Sequence, residues 1–245
     1  MNVSIIGAGS WGSALSLVLS QNNHKVQLWT KKTQNEKKFK YFPNVKIPKG
    51  VSFIKNLNEM SNSKIILIAL PSHTILPVLS NLKIKEKAII VNCSKGLDAI
   101  KEQRLSTSIE KDLKINKKNI VVLSGPSHAE EVVKKIPTAV VASSVSKKNA
   151  AMVQNLFSND YFRVYTNSDI IGTEIGGVCK NIISIASGIS SGLGYGDNTI
   201  AALISRGLKE IVRLGMHLGA KKSTFYGLSG LGDLSVTAFS SFSRN

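Results

Sequence analysis

The chain opens with an apolar run, Val3–Ile6, that leads straight into Gly7-Ala8-Gly9-Ser10-Trp11-Gly12. Helix-forming sequence follows through Ala14, Leu15, Leu17, Val18 and Leu19. This is G-x-G-x-x-G between a strand and a helix, and the chemistry it suits is pyrophosphate binding. Gly7 permits the tight turn, Gly9 lets the backbone approach the phosphates, and Gly12 lets helix and strand pack closely. The helix N-terminus offers free N–H groups and partial positive charge to the anion. Further chemistry-bearing residues lie just past other apolar runs. Lys95 follows Ala88–Asn92 in Cys93-Ser94-Lys95-Gly96, where a cation can meet an anion beyond a strand end. Gly125, Ser127 and His128 follow Ile120–Leu123, and the first two can offer N–H and hydroxyl groups to a small ligand. Lys180 stands among small residues, where a long cation needs a partner. Asp233 is the one acid in the glycine-rich stretch Gly227–Leu234, read as a loop. His73, after Pro71-Ser72, reads as structural rather than as a base.

The cofactor's identity turns on the second strand. A site for NAD places Asp or Glu at that strand's end to hold the ribose hydroxyls. Here the strand ends Leu28-Trp29-Thr30-Lys31-Lys32, with no acid. Lys31 and Lys32 suit a 2′-phosphate, so NADP(H) is favoured and NAD(H) stays open.

The elements that must position these residues are legible in the pattern. Val3–Ile6, Val26–Trp29, Lys64–Leu70, Ala88–Asn92, Ile120–Leu123, Thr138–Ala142 and Phe162–Tyr165 read as strands. Uninterrupted runs such as Ile65 to Leu70 suit strands buried on both faces of a parallel sheet. Residues 11–22, 73–81, 105–113, 127–135 and 146–157 read as helices. The alternation predicts an α/β fold, a Rossmann-type doubly wound, mostly parallel sheet. From Asp169 onward the pattern is all helical, which divides the chain into a dinucleotide-binding domain, 1–168, and a helical substrate and catalytic domain, 169–245. Ile171, Ile175, Val178, Ile182, Ile185 and Ile189 recur at helical spacing and predict one apolar helix face. Thr173, Gly177, Lys180, Asn181, Ser184 and Gly188 form a second face that lets the helix approach a backbone or a ligand closely. A second helix is expected from the N-cap pair Asp197-Asn198 to about Gly219.

Bulk composition excludes several classes. Of 245 residues, 42% are hydrophobic, enough for a globular core. No run of 18 apolar residues reads as a membrane span, and the N-terminus lacks a basic leader. Cys93 and Cys179 are far apart, which fits a reducing cytoplasm rather than a disulfide framework or a metal site. The net charge of +17 raises nucleic acid as a partner. However, the arginines are only Arg104, Arg163, Arg206, Arg213 and Arg244, and the lysines are scattered. A solvated basic surface that attracts anionic metabolites is the better reading.

Six motifs in order resemble the NAD(P)-dependent glycerol-3-phosphate dehydrogenase family, bacterial biosynthetic type. They are Gly7–Gly12, Ser94-Lys95-Gly96, Gly125-Pro126-Ser127-His128-Ala129, Val178-Cys179-Lys180-Asn181, Gly230-Leu231-Gly232-Asp233-Leu234 and Ser243-Arg244-Asn245. The resemblance implies reversible reduction of dihydroxyacetone phosphate to sn-glycerol 3-phosphate for phospholipid synthesis. It implies that Lys180 is the catalytic lysine, and that Ser10, Trp11, Lys31, Lys32, Ala129 and Arg244 contact the cofactor. Lys95 would bridge cofactor and substrate. Gly125, Ser127, Lys180, Asp233, Ser243, Arg244 and Asn245 would bind the substrate, Arg244 with a planar fork suited to phosphate. No metal is expected, and a homodimer is one assembly open to the chain. The resemblance also implies further helices beyond Ser-Arg-Asn, so an incomplete helical domain with exposed apolar surface is expected. A β-hydroxyacid-type dehydrogenase and a non-catalytic nucleotide-binding module are the competing readings.

Overall fold

The computed structural model describes residues 1–31 and 38–240. Its strands are β1 (Asn2–Ile6), β2 (Lys25–Trp29), β3 (Lys38–Phe39), β4 (Phe42–Lys46), β5 (Val51–Ile54), β6 (Ile65–Ile68), β7 (Ile89–Asn92), β8 (Leu97–Asp98), β9 (Gln103–Arg104), β10 (Ile120–Ser124), β11 (Thr138–Ser143) and β12 (Phe162–Asn167). Its helices are α1 (Ser10–Gln21), α2 (Ser72–Leu79), α3 (Leu105–Asp112), α4 (Ala129–Val133), α5 (Lys147–Phe157), α6 (Ile170–Gly192), α7 (Asp197–His217), α8 (Lys222–Phe225) and α9 (Asp233–Phe239).

The main sheet runs β12-β11-β10-β7-β6-β1-β2-β5. From β5 to β10 it is parallel, in the 3-2-1-4-5-6 order of a dinucleotide-binding sheet. β6 is Ile-Ile-Leu-Ile, wholly buried, and its pleat sorts the side chains to two cores. Ile65 and Leu67 join Val3, Ile5, Val26, Leu28 and α1 on one face; Ile66 and Ile68 join Ile6, Ile90 and α2 on the other. Each such side chain contributes roughly 1.5–3 kcal/mol by leaving water. That two-sided burial is why apolar runs, not alternation, mark these strands.

The strand β5 is a correction to the sequence reading, which left it out. Four residues at a sheet edge, with Ser52 exposed and Phe53 half-covered, carry too weak a pattern to stand out. β11 pairs antiparallel with β10, so it runs away from the strand ends that carry the motifs. β12 follows β11 in parallel, and the chain therefore enters α6 at the far end of the sheet. α6 then climbs alongside β10: Ile171 shares a cavity wall with Ile120, while Gly177 reaches Ser124 and Lys95. Lys180 lies ten residues from the start of α6, about 15 Å along its axis. The strand reversal thus delivers it to the carboxyl ends of the parallel strands.

Among the described residues, every element after β12 is helical. Ile175, Cys179, Ile200, Ile204, Ile211, Val212, Phe225 and Leu234 form the helical core. Three expectations are corrected here. α7 is capped by the backbone of Gly196, not by Asp197-Asn198, and Asp197 is its first helical residue. Gly227–Leu234 is not a loop: a π-helical turn, Leu228–Gly232, runs into α9. The isoleucine face of α6 is buried only at its start, since Ile182, Ile185 and Ile189 are exposed. The small and polar face is the buried one, carrying Thr173, Lys180 and Ser184.

Candidate active site

The glycine turn has the geometry its spacing predicts. Gly7 sits at φ +113°, and a Cβ there would lie 2.3 Å from the Ala69 carbonyl oxygen. A Cβ on Gly12 would lie 1.9 Å from the Gly7 carbonyl oxygen, so helix and strand touch backbone to backbone. A Cβ on Gly9 would meet nothing within 4 Å. The first turn of α1 has no side-chain cap and no acidic residue. Open space above uncapped N–H groups fits the pyrophosphate of a dinucleotide. Ser10 begins α1. Trp11 lines an adjoining cavity of about 270 Å³ with Ala69, Leu70, Cys93, Ser94, Lys95, Leu123 and Ser127. Ala129 is buried at the start of α4. Lys31 is exposed beyond the end of β2. Lys32, Ser243, Arg244 and Asn245 lie outside the described residues.

The same strand ends meet α6 and α9. Asp233 is 1% exposed and stands between two lysines. Lys180 Nζ donates to Asp233 Oδ1 at 2.7 Å and to Thr237 Oγ1 at 2.6 Å. Lys95 Nζ lies 2.5 Å from Asp233 Oδ2, an ion-pair contact rather than an aligned hydrogen bond. Lys95 also donates to the Gly125 carbonyl at 3.3 Å, which takes the Ser127 hydroxyl at 3.0 Å as well. Lys95, Gly125, Ser127, Lys180 and Asp233 therefore form one cluster, assembled from four separate stretches of chain.

Backbone approach makes the cluster possible. A Cβ on Gly176 would lie 2.4 Å from the Ser229 carbonyl oxygen, and one on Gly230 would lie 2.2 Å from that of Phe225. α6 thus packs directly on the turn that carries Asp233.

The electrostatics favour an amine that can exchange a proton. Burial lowers the Lys180 pKa first and the charge of Lys95 lowers it further, while Asp233 pulls the other way. The result is about 8, far below an ordinary lysine. Thr237 was not singled out by its sequence. The signal was there: it lies four residues after Asp233, on the same helix face. Its hydroxyl donates to the Asp233 carbonyl, which leaves its lone pairs to accept from Lys180. Two of the three ammonium protons are thereby placed, leaving one to give away.

Cys93 and Cys179 are buried free thiols, and burial raises both above the ordinary range, so neither is a nucleophile. Among the described residues no group of acids, histidines or cysteines could hold a metal ion. No helix of the described residues is long and apolar enough to cross a membrane.

A dinucleotide-type sheet whose strand ends face a buried amine with a lowered pKa defines a nicotinamide-dependent oxidoreductase. Residues 2–150 match the family model described as NAD-dependent glycerol-3-phosphate dehydrogenase N-terminus, and residues 169–245 match the corresponding C-terminus. The chain belongs to the NAD-dependent glycerol-3-phosphate dehydrogenase family. It is 48% identical over 253 residues to a glycerol-3-phosphate dehydrogenase [NAD(P)+] of Clostridium tetani, covering 99% of this chain and 72% of the relative. The relative of the same name from Halalkalibacterium halodurans is 48% identical over 254 residues, covering 100% and 74%. The crystal structure of glycerol-3-phosphate dehydrogenase from Coxiella burnetii superposes with a TM-score of 0.92 at 36% identity, covering 99% of this chain and 77% of that one.

Proposed function

We propose that this enzyme reduces dihydroxyacetone phosphate to sn-glycerol 3-phosphate reversibly, with Lys180 as the proton donor. The observation that carries the mechanism is the buried Lys180–Asp233 pair with half-buried Lys95 on the second carboxylate oxygen, at the mouth of the nucleotide fold. When bound, the reduced nicotinamide supplies a hydride to the carbonyl carbon. Lys180 gives a proton to the carbonyl oxygen, and in the reverse direction its neutral amine takes the hydroxyl proton. Asp233 and Thr237 hold the ammonium in place. Lys95 leaves Asp233 for the substrate, and Gly125 and Ser127 complete the wall. The family resemblance assigns the substrate phosphate to Ser243, Arg244 and Asn245, and a cofactor contact to Arg244 as well.

Lys31 and Lys32, with no acid beside them, favour NADP(H) over NAD(H) through the 2′-phosphate. The product feeds phospholipid synthesis in the cytoplasm. Initial rates with dihydroxyacetone phosphate and each reduced cofactor test the reaction and the preference together. No oxidation of either cofactor would sink the reaction. Lys180→Ala should lower kcat by roughly 10²–10⁴. Fluorescence titration should find NADPH binding nearly intact in that variant, and equal loss of both would contradict the assignment.

A further inference from the structure

We propose that Glu174 is a positioning residue, which through its bonds to Arg104 and Ser106 sets the rotation of α6 and hence the place of Lys180. The proposal rests on the reading of Lys180 as proton donor.

Glu174 lies on the buried side of α6, its side chain 4% exposed. A carboxylate there is costly unless every oxygen finds a partner. Glu174 finds three donors on one junction, between β9 and α3. Ser106 N donates to Oε1 at 2.9 Å, while Ser106 Oγ at 2.5 Å and Arg104 Nη1 at 2.8 Å both reach Oε2. These donors belong to the sheet half, so the carboxylate ties α6 to the layer that carries Lys95. An apolar side chain would fill the same space but would remove these three directional bonds, leaving the helix angle to the backbone approach at Gly176 and the contacts of Asp169 and Thr173.

Lys180 lies six residues further along, about 9 Å up the axis and roughly a third of a turn round. The two residues therefore use different faces of one rigid helix. A rotation of about 10° would swing a group some 6 Å off the axis by about 1 Å. A displacement of that size matters for an ammonium held at 2.6–2.7 Å by Thr237 and Asp233. Asp169 caps the start of α6, and Thr173 meets Ser143 at 2.6 Å. These contacts fix where the helix begins. Glu174 is the ionised contact that fixes its angle.

Glu174→Gln keeps the shape and removes the charge. Two quantities are compared in the full chain with and without it: steady-state rates with dihydroxyacetone phosphate and NADPH, and the titration of Lys180. The latter comes from competitive acetylation across pH, read by mass spectrometry. The variant should lose on the order of 10- to 100-fold in kcat. Its KM for NADPH should stay within about twofold of the wild type. Lys180 should titrate away from its wild-type position, since a turn of α6 changes its distance to both Lys95 and Asp233. A lower melting temperature with kcat and titration unchanged would make Glu174 merely structural and overturn the proposal. If Glu174→Gln does not fold, Ser106→Ala removes one donor to the same carboxylate and is read identically; an unmoved titration there overturns the proposal equally. The titration needs no turnover. A wild type that lacks ketone reduction would therefore defeat the proposed reaction and leave this test decisive.

Discussion

Asp233 holds both lysines, yet it works against the lowered pKa that makes one of them useful. Burial and Lys95 win over it at Lys180. Removing each influence should therefore move the same limb of the pH profile in opposite directions. Lys95→Met removes a like charge, so the limb near 8 should rise; Asp233→Asn removes the opposing charge, so it should fall. Profiles of kcat/KM against pH in both variants check the two signs. The same amine links to stability. Folded Lys180 binds fewer protons than an unfolded lysine between about 8 and the usual 10.5. Stability is thus gained as pH rises through that window, and the whole burial penalty is present below 8. Lys180→Met abolishes the effect. The unfolding free energy of the wild type minus that of the variant should therefore increase from pH 8 to 10 in urea titrations.

At the scale of elements, the glycine turn separates packing from binding within six residues. Gly12→Ala drives a methyl into the Gly7 carbonyl and should cost on the order of 3 kcal/mol of stability. Gly9→Ala has open space and an ordinary extended backbone, so its melting temperature should stay that of the wild type. Its methyl would occupy the pyrophosphate's space and should weaken NADPH binding on the order of tenfold or more. Thermal melts and cofactor titrations of the two variants check the contrast. The turn was readable because three glycines at fixed offsets have one geometric solution. The sheet was readable wherever Ile and Val run unbroken, and unreadable at Val51–Ile54, which the edge half-exposes. Lys180 stood out as a cation among small residues. Its partner Thr237 and the pair of buried Glu174 with half-buried Arg104 did not, since charged and hydroxyl residues are usually solvated. The isoleucine stripe misled for the opposite reason. Its period gave the helix correctly, but the side that packs was chosen by backbone proximity at Gly176, not by hydrophobicity.

At the scale of the whole molecule, 32 basic residues against 15 acidic ones surround a site for two anions. Such a field raises the rate of encounter with phosphorylated ligands and is screened within about 10 Å at 0.1 M salt. The kcat/KM for dihydroxyacetone phosphate should accordingly fall as ionic strength rises, while kcat changes little; rates from low salt to 0.5 M test this. The placement of Asp233 has a consequence in time. Its two lysine partners come from β7's trailing loop and from α6, so the cluster closes only after both halves of the chain have met. The glycine turn leans only on Trp29 and Ala69, both within the first seventy residues, so its wait is far shorter. During synthesis or refolding, the molecule should acquire a grip on its nucleotide before it acquires a working amine, and so bind before it can react.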